Sequence, residues 1–235
     1  MPIAIITGAN RGLGLELTRQ YLDDGWTVIG ICRRSSDRLD SLRSHPSLKV
    51  ILADLTDDTS LKSAVDSIDA SAIDLLINCA GTMGNGSFAE LWLDFQAFGT
   101  FDRSEWLRVF DINVCTPMAL TELLVDKLEA ADNPTIVTFT SIVGSNALNT
   151  SGSLYAYRAS KAAVNSIMKS MGVNLAPRGI TAVAMHPGWI RTDMGGPRAE
   201  LGVTESITRV RQTIAGLTPE DSGKLIANDG SDMPY

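Results

Sequence analysis

Cysteine is scarce in this 235-residue chain: Cys32, Cys79 and Cys115 are three, an odd number, scattered through apolar runs. That count excludes a disulfide scaffold, and the spacing matches no metal-ligand pattern, so buried reduced thiols and no bound metal are expected. An excess of positive charge is also missing. The formal net charge is −7, which argues against a broad nucleic-acid footprint and confines any phosphate site to a local cluster of basic residues. No apolar run reaches membrane-spanning length, and Met1 to Thr7 lead into an apolar run with neither a basic stretch nor a small-residue cleavage site. The expectation is a cytoplasmic chain with no membrane anchor and no nucleic-acid partner. Internal repeats and biased tracts are absent too, leaving one domain over 1–235, long enough to bury a sizeable core.

What the chain does have is a series of short runs rich in Ile, Val and Leu. They fall at Ile3–Thr7, Thr27–Ile31, Leu48–Leu52, Ile73–Asn78, Thr135–Thr140 and Ile180–Met185, separated by segments long enough for a helix. Continuous apolar runs suit strands buried on both faces. The expected fold is therefore α/β, a doubly wound parallel sheet of Rossmann type with helices on each side. Ligands of such sheets sit at the carboxyl ends of the strands, where strand order reverses. The least regular stretch runs from Thr82 to Arg103. Its aromatics Phe88, Trp92, Phe95, Phe98 and Phe101 are expected to fill a helical face or an intersubunit surface, with a loop over the site as the alternative.

The first run ends in Thr7-Gly8-Ala9-Asn10-Arg11-Gly12-Leu13-Gly14, and the segment beyond has an apolar helical face of Leu13, Leu17 and Leu22. Gly8 allows a tight turn, Gly12 lets the backbone approach a pyrophosphate, and Gly14 permits close helix–strand packing; the helix start offers N–H groups to the phosphates. A strand before and a helix after are the context a dinucleotide site requires. About 20 residues further on, an acid would accept a ribose hydroxyl, whereas an Arg would accept a 2′-phosphate. Cys32-Arg33-Arg34 stands there, with Asp37 the nearest carboxylate. NADP(H) is therefore expected over NAD(H), with Arg11 as a second cation for the phosphate.

Tyr157 and Lys161 lie four residues apart in a helical pattern, so phenol and ammonium share one face. A phenol near pKa 10 is a poor acid or base at neutral pH, and a neighbouring cation is expected to lower that value. Tyr155 has Ala159 four residues on and lacks the lysine.

These motifs, in this order and over nearly the whole chain, resemble the short-chain dehydrogenase/reductase family. The glycine turn is similar to the family's, Asp54-Leu55 resembles the dipeptide lining its adenine pocket, and Asn78-Cys79-Ala80-Gly81 resembles its Asn-Asn-Ala-Gly motif, with Cys79 in place of the second Asn. The resemblance implies that Asn113 holds a water in a proton relay to Lys161. It implies that Ser141 hydrogen-bonds the substrate carbonyl, and that Pro187, Gly188, Ile190 and Thr192 hold the nicotinamide side. His186-Pro187-Gly188-Trp189, then Thr192-Asp193-Met194 and Asp229-Gly230, look like the branch containing C-factor and Sniffer-type carbonyl reductases. His186 is expected to support the loop rather than act as a base.

The implied reaction is hydride transfer between NADP(H) and a carbonyl or alcohol. Ser141 orients the oxygen, Tyr157 donates the proton, and Lys161 lowers the phenol pKa and binds the ribose. Tyr157 and Lys161 thus count among the cofactor contacts, with Gly8, Asn10, Arg11, Gly12, Leu13, Gly14, Arg33, Arg34, Asp54, Leu55, Asn78, Ala80 and Gly81. The expected partners are an aldehyde, ketone or quinone, and a second or fourth copy of the chain paired through the long helices of Asn113 and Tyr157. Val143, Leu148, Leu154, Trp189 and Met194 are expected to line the pocket, under a loop at roughly 189–215. The spacing from Ser141 to Tyr157 is longer than the family's usual. Two other readings stay open: an NADP(H)-binding regulator with little turnover, and another chemistry on the same scaffold, such as an epimerase.

Overall fold

The computed structural model describes residues 1–86 and 96–235, so Phe88, Trp92 and Phe95 lie outside the described residues. Seven strands form one sheet: β1 (Ile3–Thr7), β2 (Thr27–Cys32), β3 (Leu48–Leu52), β4 (Leu75–Asn78), β5 (Thr135–Phe139), β6 (Thr181–His186) and β7 (Leu225–Ala227). Their spatial order is 3-2-1-4-5-6-7, and every neighbouring pair is parallel. Strand order therefore reverses between β1 and β4. Among the described residues the helices are α1 (Gly12–Asp23), α2 (Asp37–Asp40), α3 (Asp58–Asp66), α4 (Arg103–Phe110), α5 (Thr116–Glu129), α6 (Tyr155–Leu175) and α7 (Val203–Ala215).

Alternate strand residues feed two separate cores. On one face Ile5, Leu76 and Ile136 pack with Leu120 and Leu124 of α5 and with Val164 and Met168 of α6. On the other, Ile6, Ile77 and Val137 meet Leu17 and Tyr21 of α1 and Ile207 and Val210 of α7. Burial of each such side chain contributes roughly 1.5–3 kcal/mol, which is why continuous apolar runs are needed in the middle strands.

Three features differ from the reading of the sequence. β3 is an edge strand with Leu52 exposed, so its apolar run is covered only in part. β7, three residues long, is too short to stand out in a sequence. The stretch 189–215 is irregular only as far as 202: Val203, Ile207, Val210 and Ile214 recur at helical spacing, and α7 buries that stripe on the sheet.

Candidate active site

Four loops leave the carboxyl ends of neighbouring strands β1, β4, β5 and β6 and converge at the point of reversal. The first is the glycine turn. Gly8 has φ +71°, a left-handed conformation that favours glycine, and donates to the Ile31 carbonyl at 2.8 Å. A Cβ on Gly14 would overlap the Gly8 carbonyl, so the turn packs onto its own helix by direct backbone contact. α1 begins at Gly12 with no capping side chain and no acid in its first turn, which leaves its N–H groups and positive dipole end suited to an anion. Leu13 packs on the core beneath, and the Asn10 carbonyl accepts from Ser36 Oγ at 2.6 Å.

The Thr7 hydroxyl joins this turn to the second loop by accepting from the N–H of Cys79 at 3.0 Å and of Ala80 at 2.9 Å. Asn78 is turned into the sheet: its Nδ2 donates to Thr138 Oγ1 at 3.2 Å, which makes it a fastener between β4 and β5. Gly81 lies beside Asn113 Oδ1 and Lys161 Nζ. Arg33 and Arg34 are exposed at the end of β2 without an ion-pair partner among the described residues. The Asp54 carboxylate accepts from the N–H and hydroxyl of Thr56, which hold its pKa below the usual range, with Arg33 adding a smaller pull. Leu55 packs against the core, and its carbonyl accepts from Thr116 Oγ1. Arg11 pairs with Asp193 at 3.0 Å, linking the glycine turn to the loop after β6. In that loop the Pro187 carbonyl is held by Ser206 Oγ at 2.7 Å and Asn228 Nδ2 at 3.0 Å, and Gly188 has φ +95°. Ile190 is buried and bridges to Leu201, while Thr192 lies next to Gly12.

At the centre are Ser141, Tyr157, Lys161 and Asn113, contributed by β5, α6 and the turn before α5. Tyr157 is 8% exposed, Lys161 5% and Asn113 1%. Tyr157 packs with Met83 and Leu154, and with Val143 and Met194 around them; Leu148 is exposed. Trp189 donates its indole N–H to the Gly195 carbonyl at 2.9 Å. Lys161 Nζ donates to the Phe139 carbonyl at 2.8 Å and lies 5.8 Å from the Tyr157 ring centre.

This geometry corrects the expected effect of the lysine. Burial pushes the phenol up to about 12, opposed in part by a hydrogen bond with Ser141, and the same burial brings Lys161 down to about 8. Loss of water around the phenol sets its value, while the ammonium is engaged with the Phe139 carbonyl. Cys79 is likewise pushed up to about 12 by burial, whereas Cys115, expected to be buried, is exposed.

Asn113 lies on a π-helical turn, Asp111–Cys115, a local widening of the helix. Its Oδ1 accepts from the Thr82 N–H at 2.8 Å, and its Nδ2 donates to the Thr82 carbonyl at 2.7 Å and to Ser160 Oγ at 3.0 Å. Both side-chain N–H groups are therefore committed within the protein. His186 behaves as expected of a loop support: its Nδ1 accepts from the Ile142 N–H at 3.2 Å, and burial lowers its pKa to about 4.

Several residues of the site carried no signal in the sequence. Asn165, for one, is buried and accepts from Thr140 Oγ1 at 2.6 Å while donating to the Gly144 carbonyl at 3.0 Å, which pins the turn after Ser141 to α6. Such residues belong to no periodic pattern, and only their position at a strand end or on an inward helix face gives them a role. A separate cavity of about 480 Å³, lined by Arg209, Thr213, Leu217 and Asp229 among others, contains none of this cluster.

A family model described as short chain dehydrogenase matches residues 2–201. The chain belongs to the short chain dehydrogenase family. As a member of it, this protein is an oxidoreductase, and its similarities fall on the carbonyl-reductase side. The carbonyl reductase Sniffer of D. melanogaster superposes with a TM-score of 0.90 at 29% identity, covering 100% of this chain and 99% of that one. The NADPH-bound carbonyl reductase from chicken fatty liver gives 0.88 at 27% identity and 100% of both chains. C-signal of Myxococcus xanthus is 37% identical over 175 residues, 74% of this chain and all of that protein. No described helix is long and apolar enough to cross a membrane.

Proposed function

We propose that this dehydrogenase is an NADP(H)-dependent carbonyl reductase acting on an aldehyde, ketone or quinone. The observation that carries the reading is the buried Tyr157 phenol beside Ser141, kept protonated by its surroundings and therefore able to give up a proton to a developing alkoxide. When bound, NADPH supplies the hydride. The residues present fit it: an uncapped helix start without acids receives the diphosphate, and Arg33 and Arg34, without ion-pair partners among the described residues, receive the 2′-phosphate. Gly8, Asn10, Gly12, Leu13 and Gly14 form the turn around the diphosphate, Ala80 and Gly81 border it, and Asp54 with Leu55 flank the adenine. Pro187, Gly188, Ile190 and Thr192 hold the nicotinamide end, with Lys161 toward its ribose.

Ser141 orients the carbonyl oxygen and Tyr157 protonates it, a step worth about 10²- to 10⁴-fold. Lys161, with its pKa near 8, remains largely protonated at neutral pH and stabilises charge left on the phenol. Asn113 holds the Thr82 loop against α6, so that Gly81 and Lys161 keep their spacing. Assembly as a homodimer or homotetramer belongs to the same reading; Leu123 of α5 and Val173 of α6 are exposed on helices suited to it.

The test is NADPH oxidation over a panel of aldehydes, ketones and quinones, with NADH and Tyr157→Phe as controls. Turnover that prefers NADPH and falls at least about 10²-fold in Tyr157→Phe is the expected result; near-normal turnover in that variant removes the assignment. The similarity to C-signal favours a second reading, a dinucleotide-binding regulator with little turnover. Tight NADPH binding without oxidation on any compound would select it.

A further inference from the structure

The helix that carries Tyr157 and Lys161 has no cap of its own. Leu154, at the N-cap, adopts the left-handed conformation with φ +55° and makes no side-chain cap, and Ser153 before it has φ +53°. The first N–H groups of α6 are served instead from Gln96, 61 residues away in sequence. The Gln96 carbonyl accepts from the Tyr155 N–H at 3.5 Å, and its Oε1 accepts from the Tyr157 N–H at 3.0 Å. The other end of the same amide, Nε2, donates to the Met83 carbonyl at 2.5 Å. These partners fix the orientation of the amide, because one offers only a donor and the other only an acceptor.

Two further observations point to this link. Gln96 itself has φ +56°, a conformation that costs a non-glycine residue free energy and persists only where the surroundings impose it. Met83 is buried against both Leu154 and Tyr157, so the amide closes a ring of contacts around the phenol-bearing turn. Gly84 leaves the space for it: a Cβ there would come within 2.8 Å of Gln96 Nε2.

We propose that Gln96 is a positioning residue for Tyr157, its side-chain amide joining the Tyr157 N–H to the Met83 carbonyl and so setting where the phenol stands relative to Ser141. This rests on the reading in which Tyr157 is the proton donor. The physical basis is that a shift of about 1 Å at a reacting group can cost about 10²-fold in rate, whereas dinucleotide contacts made by other loops are untouched.

Gln96→Met keeps the volume of the side chain and removes both hydrogen bonds. It is expected to lower kcat about tenfold or more while KM for NADPH stays within about twofold. Gln96→Glu supplies a second check. As a carboxylate it places an oxygen against the Met83 carbonyl, whereas the protonated acid restores a donor and an acceptor. Its activity relative to the unsubstituted protein should rise as pH falls toward about 4, the ordinary range of a glutamate. Hydrogen exchange over the peptide containing Tyr157 tests the link without turnover and should quicken about tenfold in Gln96→Met. A wild-type kcat and pH profile in both variants, or unchanged exchange, would overturn the proposal; a lower melting temperature alone would mark Gln96 as merely structural and overturn it too. Tyr157→Phe assayed alongside separates the two readings. Activity surviving there removes the proton donor, and wild-type kcat in Gln96→Met with Tyr157→Phe inactive removes only the role of Gln96.

Discussion

The glycine turn after β1 and the mouth of α6 are both helix starts at the carboxyl end of the sheet, and they are built in opposite ways. At the glycine turn the site is main chain: Gly8 bends, Gly14 packs on Gly8, and the N–H groups of α1 are left without a capping side chain. At α6 the main chain is satisfied from outside, by Gln96, and what faces the centre is side chain: a phenol, an ammonium and a neighbouring hydroxyl. The first start is suited to hold a fixed anion and the second to place a proton. Tolerance to substitution should differ accordingly, because a backbone site fails when a glycine gains an atom and a side-chain site fails when a support is lost.

The largest expected effect is at the glycine turn. In Gly14→Ala the new Cβ overlaps the Gly8 carbonyl, so the backbone must shift; NADPH binding followed by fluorescence should be lost, and urea unfolding should show about 1–3 kcal/mol less stability. Retained binding would break the comparison. Next comes Arg33→Ala with Arg34→Ala. Loss of charge-assisted bonds to the 2′-phosphate, about 1.5–3 kcal/mol for the exposed pair together, should cut kcat/KM for NADPH roughly tenfold to a hundredfold and leave NADH unchanged. Equal losses with both cofactors would count against NADP preference.

A smaller effect is expected at His186, which supports the residue after Ser141. His186→Ala leaves the Ile142 N–H without its acceptor and should cost about 1 kcal/mol in stability, with His186→Asn restoring it. The sign with pH follows from the lowered value. Unfolded histidine takes its proton near pH 6.5 and the folded residue near 4, so the unfolded chain binds more protons between these values and stability falls as pH drops through them. Thermal melts at pH 7 and pH 5 should show a shallower loss in His186→Asn; an identical loss would remove the assignment. The smallest effect is at the exposed Arg11–Asp193 pair, 68% and 85% exposed. Asp193→Asn frees Arg11 for the cofactor phosphate and should lower KM for NADPH at most about fivefold, an effect abolished by added salt. A gain that survives Arg11→Ala would show that Arg11 is not its source.

Much of this architecture can be read without coordinates. The strands were visible because a parallel sheet covered on both faces requires unbroken apolar runs, and the glycine turn because few residues tolerate its backbone. Tyr157 and Lys161 were visible because helical spacing alone puts them on one face. The supports were not. Gln96 and Asn165 are single polar residues whose partners lie elsewhere in the chain, and no spacing rule links Gln96 to Tyr157 across 61 residues. β7 was missed because three residues carry too little pattern. The loop expected at 189–215 gives way to α7 at Val203 because Val203, Ile207, Val210 and Ile214 recur at helical spacing, a pattern present in the sequence itself.

The sequence by itself determined the α/β class, the dinucleotide turn and the identity of the central residues, since each depends on local backbone preference or on spacing within one element. Tertiary structure alone decided the ionisation of the site. Folding encloses Tyr157 and Lys161 together, and loss of water drives the phenol up to about 12 where its neighbour was expected to draw it down. The reason is that the free energy of a buried charge depends on how much water it has lost and on what replaces it, and both are settled by residues distant in the chain.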